Sequence, residues 1–322
     1  MLITKHLYIC EYANIMIKQL PVILLFLFSV LSFSQVTKFH VKNLELNTKY
    51  PHFAVNLYGE NQVLFTSYQL NEKGKVKKTF DGQGILTIYK GTINSEGNIN
   101  NIEEITIDPK ANIESITSAT LSLDGQQLYI TTTYTSKNRP KGSYNEANFH
   151  IAVAEYRAGI GFTNFKVLPF CKPRYSYAHP AFSSDGKTMY FTANVRGGRE
   201  TTKGASDIFK VEILQNNTFG KIKNLGLKVN SYSREMFPFM SKDNTLYFAS
   251  DKPNGYGGYD LYKSKMNEDG TFSKAEKLPK PINSSEDDLS LVMLPNGNSG
   301  FIVSKRKGGE GEDDIYYLSL KK

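Results

Sequence analysis

Glu235 and Asp288 each follow an Asn-Ser pair at the same spacing, Asn230-Ser231 and Asn283-Ser284. Two carboxylates across a pocket are the apparatus of glycoside hydrolysis, one acting as acid and the other as base or nucleophile. Three further carboxylates recur in Asp207-Ile208-Phe209, Asp260-Leu261-Tyr262 and Asp314-Ile315-Tyr316, 53 and 54 residues apart, and such a ring could gather cations. The run Glu310-Gly311-Glu312-Asp313-Asp314 offers the hard oxygens calcium prefers, without the spacing of a known calcium loop. Repetition argues against chemistry. A catalytic centre needs unlike groups converging once, whereas these acids recur with the sequence unit, so hydrogen bonding to loop backbone is their expected role. The chain also has no Trp to stack on a sugar, although Tyr could substitute.

Other reactive groups add little. His40, His52, His150 and His179 are dispersed and show no metal-ligand spacing. No phosphate-binding loop or nucleophile elbow is present, and Gly197-Gly198, Gly257-Gly258 and Gly308-Gly309 recur as loop punctuation. Cys10 lies in an apolar leader, which leaves Cys171 alone, with no internal disulfide and no base beside it in any motif. No metal, cofactor or catalytic residue is expected.

The elements that carry these residues repeat. Ser122-Leu123-Asp124-Gly125, Ser183-Ser184-Asp185-Gly186 and Ser241-Lys242-Asp243-Asn244 each lead into a Leu/Met-Tyr-Phe/Ile strand, and Gly59-Glu60-Asn61 and Pro295-Asn296-Gly297 are degenerate copies. Asp-Gly and Asn-Gly accept the positive φ of tight hairpins. The Asp-led strands follow, with weaker equivalents at His150-Ile151 and Thr87-Ile88. Four units then have a further turn and strand. A repeat of this length built from four short strands predicts an all-β propeller of five four-stranded blades. An open solenoid and a six-bladed ring are the alternatives.

The fifth unit stops after its third strand, at Leu318-Ser319-Leu320. Near the N-terminus, His40-Val41-Lys42-Asn43-Leu44-Glu45-Leu46 resembles Lys221-Ile222-Lys223-Asn224-Leu225-Gly226-Leu227. The first strand should therefore supply the missing edge of the last blade and close the circle, which removes an open pairing template. Residues 35–322 should form one domain.

Residues 21–33 (PVILLFLFSVLSF) are apolar, preceded by Lys18 and bordered by the small Ser32 and Ser34. This predicts a secretory signal peptide over residues 1–34, with Met16 as a candidate true start and no transmembrane span after cleavage. The formal charge is +8, and removing Lys5, Lys18 and Glu11 leaves 8 − 1 = +7. Lysines without dense runs read as a solvated surface, with weak attraction to acidic glycans or anionic lipid as the functional alternative. Nucleic acid is not an expected partner.

At the Tyr-Phe strands, SDKPNGYGGYDLY (residues 250–262) and SKRKGGEGEDDIYY (residues 304–317), the chain resembles WD-like, TolB-type propeller repeats. More narrowly, it is similar to the propeller of OmpA-family envelope proteins of the Bacteroidetes, over roughly residues 47–320. The resemblance implies an exported scaffold or binding module of the periplasm or outer membrane, with some relatives in gliding and secretion machinery. Those relatives carry a peptidoglycan-binding module after the propeller. This chain is expected to lack it, so attachment to peptidoglycan is not carried over.

Topology locates a working surface. Loops from second to third strand, and from fourth strand to the next first strand, emerge on one face of a propeller. They hold Tyr175, Tyr177, Arg196, Arg199, Tyr232, Arg234, Glu235, Tyr256 and Tyr259, with Asp288 at the position equivalent to Glu235. Tyr and Arg dominate binding hot spots. The expected function is a monomeric, non-enzymatic module for an envelope or secreted protein partner, or for a cell-wall or surface glycan. A carbohydrate-active enzyme using the central channel is the alternative.

Overall fold

The computed structural model describes residues 39–135, 138–141, 144–215 and 218–321, so the expected leader lies outside the described residues. The propeller unit is Phe39–Leu320. Blade 1 is built from β2 (Phe53–Tyr58), β3 (Gln62–Tyr68), β4 (Leu86–Ile93) and β5 (Ile99–Glu104). Blade 2 has β6 (Ser118–Leu121), β7 (Gln127–Thr133), β8 (Phe149–Arg157) and β9 (Gly161–Val167). Blade 3 has β10 (Tyr177–Phe182), β11 (Thr188–Ala193), β12 (Asp207–Glu212) and β13 (Lys223–Asn224), and blade 4 has β14 (Glu235–Met240), β15 (Thr245–Ser250), β16 (Asp260–Lys265) and β17 (Glu276–Lys277). Blade 5 joins β18 (Asp288–Met293), β19 (Ser299–Ser304) and β20 (Asp314–Leu320) to the N-terminal β1 (Phe39–Asn43). All five sheets are four-stranded, and Pro109–Ala111 is a single 3-10 turn.

Closure occurs as the strand repeat predicts. β1 lies antiparallel on β20, with Phe39 opposite Leu320 and Asn43 opposite Tyr316. The polar turns also form as expected. In the turn before β7, Ser122 Oγ accepts from the Gln127 N–H at 2.9 Å and donates to Asp124 at 2.6 Å, while Gly125 takes φ +69°. Ser183 and Asp185 repeat this before β11.

The second strands read as almost unbroken apolar runs because both of their faces are buried, each in a different seam. In β11, Met189 and Phe191 pack towards blade 2, whereas Tyr190 between them packs towards blade 4. Five such seams, one between each pair of neighbouring blades, make up the core.

Blades 3, 4 and 5 share one joint. The backbone carbonyl of Ser206, the residue before Asp207, accepts from the Glu235 N–H at 2.9 Å, and Tyr259 O accepts from Asp288 N at 2.8 Å. Asp313 O likewise accepts from His52 N at 2.7 Å and carries the joint across the closure into blade 1. The approach requires glycine three residues before each aspartate. A Cβ on Gly204 would lie 1.8 Å from Ser233 O, and one on Gly257 would lie 2.1 Å from Glu286 O. Both contacts are backbone, so neither can move aside cheaply. Gly257→Ala is expected to lower unfolding stability by about 1–3 kcal/mol through this overpacking. Urea denaturation of the variant would check it, with an unchanged midpoint counting against the joint.

Candidate functional site

The repeated carboxylates are hydrogen-bond acceptors within the frame. Asp207 accepts from Lys203 N (2.8 Å), Gly204 N (3.2 Å) and Asn224 Nδ2 (2.7 Å). Asp260 accepts from Tyr256 N at 2.7 Å, and Asp314 from Glu310 N and Gly311 N at 2.5 and 3.2 Å. Each folds the loop before its strand back onto the strand start.

Glu235 and Asp288 are both fully buried, against the expectation of channel-facing or surface positions. Glu235 accepts from Ser231 N (3.0 Å), Ser231 Oγ (2.5 Å) and Ser250 Oγ (2.8 Å). Burial raises its pKa against these bonds, and burial lowers that of Lys252, which interacts with it electrostatically. Asp288 accepts from Ser284 N (2.5 Å), Ser304 Oγ (2.6 Å) and Arg306 Nη2 (2.9 Å). The Arg306 guanidinium also reaches Pro281 O at 3.0 Å and Ile282 O at 2.7 Å. Each acid is thus enclosed by the serine four residues earlier, a serine ending the second strand, and a basic residue two positions after that serine. The sequence signal was Ser250-Asp251-Lys252 beside Ser304-Lys305-Arg306, and sequence reasoning missed the two basic residues.

The Asn of each Asn-Ser pair has its own function, also missed. Asn230 bonds both backbone groups of Ile208, its Oδ1 accepting from N at 2.8 Å and its Nδ2 donating to O at 2.9 Å. Asn283 does the same to Leu261 at 2.7 and 3.0 Å, and Asn47 to Ile315 at 3.0 and 2.8 Å. The side-chain amide completes the strand ladder where the fourth strand has already turned away.

The ring axis is filled. Ala54, His179 and Phe237 sit in bulges of the inner strands with φ of 52°, 55° and 50°. Pro180 and Pro238 follow the last two, at bulges, where a strand tolerates proline. The His179 and Phe237 rings stack with centroids 3.8 Å apart. The channel lined by these residues, with Asn56, Ser118 and Ser290, holds about 20 Å³. That is room for about one water, far below the roughly 300–1,000 Å³ of small-molecule pockets.

The predicted face residues divide. Tyr177, expected in an exposed loop, is the first residue of β10 and is buried between blades 2 and 3, because the inner strand starts there. Tyr175 is half-buried and donates its hydroxyl to Arg196 O at 2.6 Å. Arg196 is tied to its own loop through Thr202 O (3.2 Å) and Gly204 O (2.8 Å). Arg234 pairs with Asp251 at 3.5 Å, and its pKa is raised by a hydrogen bond with the half-buried Tyr259. Arg199 is exposed. Tyr232 is 82% exposed although its neighbours in sequence are fixed by the Asn230 and Glu235 bonds. Tyr256 is exposed with Lys277 Nζ 3.9 Å and Lys280 Nζ 5.2 Å from its ring centroid. Cys171 is buried, which pushes its thiol up to about 12.

Charge is distributed unequally over the two faces. The described residues of the loops bearing Tyr232 and their equivalents carry 20 Lys and Arg against 13 Asp and Glu, a balance of 20 − 13 = +7. The turns on the opposite face carry 4 against 7, or 4 − 7 = −3. Read as a sequence, the lysines showed no such bias.

Together these features define a five-bladed β-propeller with a filled axis and a basic, aromatic-bearing loop face. No protein-family model matches the chain, and no curated protein matches it in sequence. Among solved structures, TolB from Acinetobacter baumannii is 16% identical with a TM-score of 0.44, the match covering 84% of this chain and 55% of that one. A candidate TolB from Agrobacterium tumefaciens is 14% identical with a TM-score of 0.47, covering 88% and 98%. A β-1,2-mannobiose phosphorylase from Listeria innocua is 9% identical with a TM-score of 0.48, covering 88% and 97%. Likenesses at this level carry no statement about activity.

Proposed function

We propose that this chain is an exported, non-enzymatic binding module that contacts an envelope or secreted protein through the loop face of blades 3 and 4. The observation that carries the reading is Tyr232, a large aromatic held out in solvent by a loop with both flanks anchored. An exposed aromatic on an anchored loop, on the face that also carries exposed Arg199 and Arg234, binds at little ordering cost. The apolar stretch of residues 21–33 supports export, and the resemblance to TolB-type envelope propellers supports a place in the periplasm or at the outer membrane. The filled axis and the enclosed Glu235 and Asp288 weigh against the carbohydrate-active alternative. Among the described residues no helix is long and apolar enough to cross a membrane.

Site-specific photo-cross-linking in cells tests the reading. A benzophenone-bearing phenylalanine at position 232 should capture a discrete envelope protein, and one at position 123 on the opposite face should not. Arg199→Glu should reduce the product several-fold. Identical products from both positions, or none from 232, would remove this face from consideration.

A further inference from the structure

Residues 69–85, the connection between β3 and β4, extend blade 1 on the basic face as two successive hairpins. Backbone bonds fix them: Asn71 N to Lys75 O (2.9 Å), Lys77 N to Gln69 O (2.8 Å), Thr79 N to Gln83 O (2.8 Å) and Ile85 N to Lys77 O (2.9 Å). The second hairpin ends in a β-turn in which Gly82 N donates to Thr79 O at 3.0 Å with Gly82 at φ +88°. Phe80 occupies the first corner of that turn and is fully exposed. Lys73, Lys75, Lys77 and Lys78 are all exposed, and none forms an ion pair among the described residues. Glu72 and Asp81 are the hairpins' two acids. Asp81 is engaged inside the turn by the Thr79 hydroxyl and by Gln83 Nε2 at 3.2 Å.

We propose that this double hairpin docks the protein reversibly onto an anionic phospholipid surface, with Phe80 at headgroup depth and the lysines against the phosphates. Phe80 stands alone at the apex between Thr79 and Asp81. It offers no contiguous apolar patch of the size that marks a protein interface. A bilayer interface accepts a single aromatic side chain without a matching pocket, and basic residues beside it supply the second, electrostatic attraction that weak anchoring needs. The unequal charge of the two faces orients the molecule with this face towards an anionic surface. Blades 3 and 4 lie across the ring from blade 1, so the Tyr232 sector is a separate contact.

The chain contains no Trp, so F80W creates a single reporter at the tip. Because Phe80 is fully exposed, the variant should melt as the parent does. Emission should shift to the blue on phosphatidylglycerol–phosphatidylcholine vesicles at low salt, and brominated lipid should quench it. Neither change should occur on pure phosphatidylcholine or with soluble glycerol phosphate. Each of the four lysines changed to Gln should weaken co-sedimentation with the anionic vesicles by up to about five-fold. Unshifted emission, or equal shifts on neutral and anionic vesicles, would overturn the proposal. A Tyr232→Trp variant should stay unshifted; a shift there and not in F80W would also overturn it. Cross-linking from position 232 does not depend on this outcome, so the two readings fail separately.

Discussion

Deleting residues 39–46 should leave a chain that no longer melts cooperatively and that elutes as aggregates or oligomers. The deletion removes β1 from β20 and takes Leu44, which is buried in the seam between blades 5 and 1. Truncating one such leucine to alanine already costs about 2–5 kcal/mol. The full edge of β20 would be uncovered, and a bare edge invites pairing with another chain. Against a typical total stability of about 5–15 kcal/mol, the loss is decisive. Asn47→Ala is the milder version. It leaves the buried N–H of Ile315 unpaired, at about 1–3 kcal/mol, while the C=O keeps its 3.4 Å bond from Leu44 N. Circular dichroism melts with size-exclusion chromatography check both, and adding a peptide of residues 36–49 should restore the truncated form. A truncated chain that melts like the parent would show that the ring does not depend on this closure.

The buried histidines should weaken the protein as the pH falls below about 6.5. Burial holds His150 down to about 4 and His179 down to about 3, and it lowers His52 as well. At 2% exposure, His150 stacks on Tyr134 with ring centroids 4.1 Å apart. His179 Nδ1 accepts from Phe237 N at 3.4 Å, which a proton on that nitrogen would break. Well above pH 6.5 these rings are neutral whether the chain is folded or not, and they add no pH dependence. Below it the unfolded chain takes up protons that the folded one refuses, so stability falls with pH until the folded values are reached. Between pH 7 and 4.5, His150 and His179 should each remove roughly 2–3 kcal/mol. Glu235, Asp260 and Asp313, whose pKa values burial raises, act in the opposite sense. The histidine share is therefore read by difference. Urea midpoints of the parent and of His150→Gln at both pH values should show the gap shrinking in the variant, and an equal gap in both would remove His150 as a cause.

The ring was legible in the sequence because its signals are local. Ser-x-Asp-Gly turns need only neighbouring residues to form, and a strand buried on both faces writes itself as Leu-Tyr-Phe. Closure was legible for the same reason, since the β1 segment repeats the composition around β13. The site was less so. Whether Asn230 faces solvent or completes a ladder on Ile208 depends on where β13 ends, which its two-residue length does not announce. Tyr177 was misplaced by one position, since it is the first residue of the inner strand and not the last of the loop. The bulges that bring His179 and Phe237 onto the axis leave a trace in His179-Pro180 and Phe237-Pro238, but a proline in a strand does not say which ring reaches the axis. The charge difference between the faces is invisible until loops are sorted by the end of the strand they leave.

Native-state hydrogen exchange of the intact protein addresses the closed ring most directly. The amides of β1 and of Ile315, which bonds Asn47, should exchange with the same free energy as the central strand β19, because opening the closure and unfolding the ring are one event. Exchange of the β1 amides by several kcal/mol more readily than those of β19 would mean that the N-terminal strand is an accessory edge and the other blades stand without it.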